Sequence, residues 1–155
     1  MPIRFARLED VPDLVEGGRR MHELTRFRKF DFNAKKIERS FVELITKGQN
    51  KYVFLVAENS AGKVVGALIG VLEQHIFSDQ LTASVMHFDV LPEVRAGGYG
   101  LRLLRAFEQW CMNRKVLEIT FGINSGEGLD KLGQFAERVG YRPVGANYAK
   151  GLRVE

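Results

Sequence analysis

A glycine-rich loop immediately precedes the most apolar helical stripe of the chain. Gly97, Gly98 and Gly100 occupy three of four consecutive positions, after a β-rich run that ends at Val90. The apolar residues that follow recur with helical spacing, at Leu103, Leu104, Phe107, Trp110 and Cys111. A helix with such a stripe packs against a sheet. The sequence therefore predicts a strand, a tight loop and a helix that belong to an α/β fold.

The same loop has the chemistry of an anion site. Glycines let the backbone pass close to a bulky ligand, and the first N–H groups of a helix lie at the positive end of its dipole. A diphosphate held by residues 97–101 fits this pattern, and an ordinary strand-to-helix turn is the alternative. Two other phosphate loops are excluded, because the segment has neither the G-x-G-x-x-G spacing nor a Lys-Ser/Thr pair after the glycines.

Apolar spacing gives a coarse map of the other elements. It predicts strands over residues 3–7, 52–57, 64–72, 84–90 and 116–121, and helices over residues 11–24, 34–47 and 129–139. The three strands between residues 52 and 90 should pair antiparallel. The tail from residue 141 to residue 154 has room for two short strands. This order describes a mixed α/β sheet flanked by helices.

Length and composition bound the class of protein. The 155 residues suit one domain, residues 1–155. A chain with 45% apolar and 27% charged residues is globular, which excludes disordered and collagen-like classes. The longest apolar run, residues 64–72, is too short to cross a bilayer, and the N-terminus lacks the apolar stretch of a signal peptide. We therefore expect a soluble, cytoplasmic protein with no membrane partner.

Metal ligands and a cysteine nucleophile are not indicated by the sequence. Cys111 is the one cysteine, which excludes an internal disulfide and a cysteine-rich zinc site, and its position in the apolar stripe favours packing. His22 and His75 have no partners at a metal-ligand spacing. We expect no metal.

The net charge of +4 and the pI of about 9.3 suggest an anionic partner. The basic residues alternate with acidic ones instead of forming a dense run, which favours solvated helix faces or one phosphate-bearing cofactor over nucleic acid. Residues 51–90 hold two basic and four acidic side chains, so the middle of the chain is mildly acidic. The basic cluster of residues 19–29 is either a solvated face or a site for a phosphorylated or carboxylate-bearing acceptor or RNA.

The segment around the glycine loop resembles a known family motif. Val90-x-Pro92-x-x-Arg95-x-x-Gly98-x-Gly100 is similar to the acyl-CoA-binding motif of the GNAT superfamily of N-acetyltransferases. The later segment of residues 135–141 is similar to a second GNAT segment, which lies beside the thiol end of the cofactor. The resemblance implies a GNAT-like fold, with a mixed, mostly antiparallel sheet flanked by helices and strands that splay at the acyl-CoA site.

The resemblance also implies which residues hold acetyl-CoA. The strand residues Phe88, Asp89 and Val90 would bind the pantetheine arm, and the Val90 N–H would bind the acetyl carbonyl. Asn124 would bind the pantetheine amides or, alternatively, start a loop. The diphosphate would lie on the backbone of Arg95, Ala96, Gly97, Gly98, Tyr99, Gly100 and Leu101.

Acetyl transfer to an amine requires a group that takes the ammonium proton, since an alkyl ammonium has a pKa of ~10.4. Glu73 and His87 are the candidate bases, with a solvated strand end and a packed histidine as the alternatives. The tyrosine that often protonates the thiolate in this family is replaced by Ala136, so Tyr148 is the remaining candidate acid. We expect direct transfer from acetyl-CoA to a primary amine of a small molecule, peptide or protein. A non-catalytic acyl-CoA sensor is the alternative, and pairing through the final strands would give a homodimer.

Overall fold

The computed structural model describes residues 3–122, 125–126 and 128–153. The strands are β1 (Ile3–Phe5), β2 (Tyr52–Glu58), β3 (Val64–Gln74), β4 (Leu81–Val90) and β5 (Glu118–Phe121). The α-helices are α1 (Val11–Leu24), α2 (Ala34–Lys47), α3 (Tyr99–Asn113) and α4 (Leu129–Arg138). None of the described helices has the length and apolarity that a bilayer crossing requires.

The strands form one sheet in the order β1-β2-β3-β4-β5. The first four strands are antiparallel, and β5 runs parallel to β4. A parallel pair needs a crossover connection, and α3 supplies it between β4 and β5. The predicted mixed sheet, with an antiparallel arrangement of β2, β3 and β4, is therefore confirmed.

The tail after α4 differs from its prediction. Residues 141–153 form no strand, and the apolar side chains after Tyr141 are exposed, with Val144 at 74% and Tyr148 at 94%. Apolar residues do alternate in this segment, but a strand is stable only where a neighbouring strand pairs with it, and Pro143 interrupts the pattern. The prediction of two short strands is wrong for the part of the tail that the structure describes.

A bulge bends β4 in its middle. The pairing of β3 with β4 joins Ile69 to His87 and Gly70 to Val85, so Met86 is an extra residue on β4. The strand β5 pairs with β4 only as far as Val85, which lies opposite Phe121. We call this last pair the junction. Beyond it, residues 87–90 of β4 pair with β3 alone among the described strands, and we call the other side of residues 86–90 the open edge.

The two faces of the sheet are covered differently. The helix α3 covers one face with the fully buried Leu103, Leu104 and Phe107. The helices α1 and α2 cover part of the other face, where the Phe41 and Phe54 rings meet edge to face with centroids 5.2 Å apart. The apolar stripe of α3 therefore packs against the sheet, as the sequence predicted.

Candidate active site

The open edge of β4 presents backbone groups that no strand of the described residues occupies. The Leu91 N–H donates to the Val65 carbonyl on β3 at 2.9 Å. Because successive strand residues direct their N–H groups to alternate sides, Asp89 also faces β3, whereas Phe88 and Val90 face the open edge. The three strand residues predicted to bind the pantetheine arm are therefore not equivalent, and two of them direct their N–H groups to the open edge.

The glycine loop leaves the first N–H groups of α3 without acceptors inside the helix. Gly98 lies in the left-handed region with φ of 80°, which residues other than glycine, asparagine and aspartate rarely adopt. The first helical bond runs from the Arg102 N–H to the Gly98 carbonyl at 3.2 Å. The N–H groups of Tyr99, Gly100 and Leu101 therefore remain available at the positive end of the helix dipole.

The backbone beside these N–H groups has room for a ligand. A Cβ on Gly100 would lie 3.5 Å from the Phe88 ring and 3.7 Å from Val90, which are ordinary contact distances. Packing within the protein therefore does not demand glycine at this position, whereas a diphosphate resting on the amides needs an uncovered backbone. The loop fits the diphosphate that the sequence predicts.

The side chains of Arg95 and Arg20 connect this loop with β4 and α1. The Arg95 Nε donates to the Val90 carbonyl at 3.1 Å, and its guanidinium reaches the Met21 sulfur of α1 at 3.9 Å. The Arg20 guanidinium binds both Glu93 carboxylate oxygens at 3.0 Å, and it lowers the pKa of Glu93 to about 2. Arg95 thus fixes the end of β4 through its side chain, and α1 is connected directly to the segment that precedes α3.

Arg102 is a candidate cofactor residue that the sequence reasoning missed. It lies in the first turn of α3, and its Nη1 approaches the Gly97 carbonyl at 3.5 Å. The same atom would lie 3.9 Å from a Cβ on Gly98. Its spacing of four residues from Gly98 was the available signal, because that spacing returns to the same side of a helix. A cation here adds to the positive potential of the loop.

His87 and Asp89 form a pair on the face of β4 that α1 covers. The His87 Nε2 lies 3.0 Å from the Asp89 carboxylate. Burial alone would lower the pKa of His87, but the charge of Asp89 and its hydrogen bond outweigh burial, so the pKa lies above its usual value. Both residues line a cleft of about 140 Å³ beside Asp13 and Gly17 of α1, which is smaller than the ~300 Å³ of a typical ligand pocket.

This pair makes the folding stability depend on pH. The pKa of His87 is raised on folding, so protonated His87 adds to the free energy of unfolding. This contribution is complete below the unfolded pKa of ~6.5 and is lost as the pH rises through the folded pKa. We expect His87→Gln to lower the Tm by about 2–4 °C at pH 5.5, which corresponds to ~1 kcal/mol, and by less at pH 8.5. Melting curves at the two pH values test this. In an Asp89→Asn background the pH dependence should disappear, and equal losses at both pH values would contradict the pair.

The other predicted catalytic residues lie in different places. Glu73, near the end of β3, pairs with Thr82 across the sheet, and its carboxylate accepts a hydrogen bond from the Ser84 hydroxyl at 2.6 Å. Tyr148 lies in the exposed tail, 94% accessible to solvent. Asn124 lies outside the described residues. Glu73 is therefore near the junction, whereas Tyr148 is not held against the sheet.

Tyr141 packs near the junction. Its ring meets Phe121 edge to face with centroids 4.8 Å apart, and its hydroxyl donates to the Glu108 carboxylate at 3.0 Å. Burial, followed by the charge of Glu108, raises the pKa of Tyr141. Tyr141, the last residue of the second GNAT-like segment, therefore has a packing role in this structure.

The connection between α1 and α2 reaches the loop that follows β5. The Arg26 N–H donates to the Ser125 carbonyl at 2.9 Å. Aromatic rings of this connection lie against basic side chains: the Arg19 guanidinium of α1 is 4.7 Å from the Phe32 centroid, and the Lys29 ammonium is 5.4 Å from that of Phe30. The basic cluster of the sequence is therefore an ordered rim beyond the end of β5. Among the described residues no group of three or more metal-ligating side chains occurs.

Comparisons with known proteins define the class of this strand, loop and helix arrangement. The model of the acetyltransferase (GNAT) family matches residues 19–141. The chain belongs to this family, as its motif indicated. No curated protein matches the sequence at a significant level.

Solved structures of similar fold cover nearly the whole chain. The tetramutant of the BH1408 protein from Bacillus halodurans has a TM-score of 0.82 at 19% identity, over 98% of this chain and 100% of the other. Glucosamine-6-phosphate N-acetyltransferase from Arabidopsis thaliana has a TM-score of 0.75 at 15% identity, over 98% of each chain. An aminoglycoside acetyltransferase from an uncultured soil metagenomic sample, in complex with sisomicin, has a TM-score of 0.73 at 17% identity, over 98% and 96%. At these identities the likeness concerns the fold.

Proposed function

We propose that this protein is an N-acetyltransferase that moves the acetyl group of acetyl-CoA directly to a primary amine. The observation that carries the proposal is the continuity between two sets of backbone donors. The N–H groups of Tyr99, Gly100 and Leu101 lie at the start of α3, and those of Phe88 and Val90 lie along the open edge of β4. A ligand with an anionic end and an extended amide-containing arm matches both sets.

The arm would run along the open edge toward the junction. This edge, residues 86–90, extends for roughly 15 Å at ~3.3 Å per residue. With the diphosphate on α3, Val90 lies nearer the cofactor's phosphate end and Phe88 nearer the junction. We assign the thioester carbonyl to the Phe88 N–H, in place of the Val90 N–H that the family resemblance implied, and a pantetheine amide to the Val90 N–H. A fixed donor to the developing oxyanion typically contributes ~3–4 kcal/mol.

Glu73 is the base that we favour. Glu73 first takes the ammonium proton through water, because Phe88 lies four residues, ~13 Å along β4, from the Ser84 hydroxyl that binds Glu73. The neutral amine nitrogen then attacks the thioester carbon, the C–S bond breaks, and the second proton of the nitrogen passes to the departing thiolate of coenzyme A. His87 is less suited, because its raised pKa leaves more of it protonated near neutral pH. No dedicated acid is required, since a thiolate is a tolerable leaving group. Tyr148 would have to move from its exposed position to serve as one.

The amine acceptor is best approached through the chemistry of the structural neighbours. One neighbour is an aminoglycoside acetyltransferase and another acetylates glucosamine 6-phosphate. We infer an amine acceptor that reaches the junction from the side of the α1–α2 connection, where the basic rim would favour an anionic group on the acceptor. A panel of aminoglycosides, amino sugars, amino-sugar phosphates and lysine peptides covers this range.

Release of coenzyme A measures the proposed reaction. Thiol release from acetyl-CoA should rise above the background when the matching amine is added, and the acetylated amine should appear in equal amount by mass spectrometry. The alternative function is an acyl-CoA sensor, which the alanine at position 136 favours. Binding of acetyl-CoA without thiol release across the panel would support the sensor, and no binding at millimolar acetyl-CoA would contradict both functions.

A further inference from the structure

We propose that Ser84 is a positioning residue that holds the Glu73 carboxylate at the junction, where the acceptor amine loses its proton. This inference rests on the proposed acetyl transfer and adds a residue to it. The Ser84 hydroxyl donates to the Glu73 Oε1 at 2.6 Å. A distance of ~2.5–2.7 Å is typical of a hydroxyl bound to a charged carboxylate, and such bonds are about twice as strong as neutral ones.

The strand register places this pair next to the junction, toward which the cofactor arm is proposed to run. Ser84 pairs with Val71 on β3 and with Thr120 on β5, so it lies in the middle of three strands. The next residue, Val85, forms the junction with Phe121. A hydroxyl on Ser84 is therefore one residue, ~3.3 Å along the strand, from the point where β4 and β5 cease to pair.

Glu73 needs such a partner because its surroundings do not otherwise fix it. Its backbone pairs with Thr82, which lies two residues farther from the junction than Ser84 and on the same side of β4. The residue is exposed, and a long exposed side chain samples several rotamers. The hydrogen bond from Ser84 selects the rotamer that points along the sheet toward the junction.

The proton balance of the step assigns no proton transfer to Ser84. The acceptor ammonium gives one proton, through water, to a Glu73 carboxylate oxygen, and the neutral amine attacks the thioester. The C–S bond then breaks, and the second proton of the nitrogen passes to the departing thiolate, so that coenzyme A leaves as the free thiol. Ser84 keeps its own proton, and its hydroxyl donates a hydrogen bond to the Glu73 carboxylate throughout the step. Removing the hydroxyl should therefore slow the chemical step while leaving the cofactor site intact, because that site is built from the backbone of α3 and the open edge.

Steady-state kinetics of five variants test the inference. We expect Ser84→Ala to lower kcat by about tenfold, with an unchanged KM for acetyl-CoA, and Ser84→Thr, which keeps the hydroxyl, to retain activity within about threefold of the natural enzyme. Thr82→Val is the matched control, since its hydroxyl lies 3.4 Å from the Glu73 carbonyl and does not touch the carboxylate. Its kcat should equal that of the natural enzyme. In a Glu73→Gln background, Ser84→Ala should have little further effect on kcat.

The outcomes separate this inference from the proposed function. If the natural protein does not release coenzyme A with any amine, the proposed function fails. If the natural protein is active and Ser84→Ala keeps its kcat, or loses acetyl-CoA affinity and kcat together, the positioning role of Ser84 is refuted. A Ser84→Thr variant as slow as Ser84→Ala would also refute it.

Discussion

The Gly98→Asp variant is expected to bind acetyl-CoA about 100-fold more weakly than the Gly98→Asn variant. Both side chains tolerate the left-handed conformation that Gly98 adopts, with φ of 80°, so the backbone is perturbed equally. They differ only in charge. A carboxylate ~5 Å from a phosphate charge repels it by about 3 kcal/mol at an effective dielectric constant of ~20, which corresponds to ~100-fold.

Isothermal titration with acetyl-CoA measures this difference. High salt should reduce the difference in affinity between the two variants, because screening weakens repulsion between partly exposed charges. Melting curves of the two variants without ligand are the control, and they should agree within about 2 °C if only the charge matters to binding. Equal affinities of the aspartate and asparagine variants for acetyl-CoA would refute the assignment of the diphosphate to this loop.

Truncation of Phe107 is expected to cause the largest loss of stability. This side chain is fully buried between α3 and the sheet, and its ring occupies the space that a side chain on Gly70 would need. We expect Phe107→Ala to lower the free energy of unfolding by about 3–5 kcal/mol, through lost burial and the cavity left behind. Urea denaturation followed by circular dichroism measures the change, and a loss below 1 kcal/mol would contradict the packing.

A double-mutant cycle with Gly70 tests the same contact from the other side. A Cβ on Gly70 would lie 2.2 Å from the Phe107 Cε1, which no protein core accommodates without movement. We expect Gly70→Ala alone to cost about 1–3 kcal/mol. In a Phe107→Leu background the same change should cost less, because the smaller side chain leaves room for the methyl group. Additive losses would show that the two positions do not touch.

Local patterns were sufficient to predict most elements and the glycine loop that precedes α3. The stripe that includes Leu103 and Phe107 requires a helix against a sheet, and three glycines before it require an exposed backbone at the helix start. These signals lie within a few residues of each other, so periodicity and turn chemistry reveal them. The family motif added what periodicity alone could not, namely the identity of the expected anion.

Contacts between distant segments could not be predicted in this way. The bulge at Met86 depends on how β3 and β4 align, and the Glu73–Ser84 hydrogen bond depends on that same register. The ion pair of Arg20 with Glu93 joins residues far apart in the chain. In the tail, alternation suggested strands, but the formation of a strand depends on a partner that local sequence does not specify.

A titration of the ¹⁵N-labelled protein with acetyl-CoA tests the central claim most directly. Backbone amide resonances report binding and its location in one experiment. We expect saturable shifts that are largest for residues 86–90 and 97–101. Residues of β2 and α2 that lie away from the open edge and the glycine loop should show no comparable shifts. An absence of shifts at millimolar acetyl-CoA, or shifts concentrated away from the open edge and the glycine loop, would contradict the acetyl-CoA site and the function built on it.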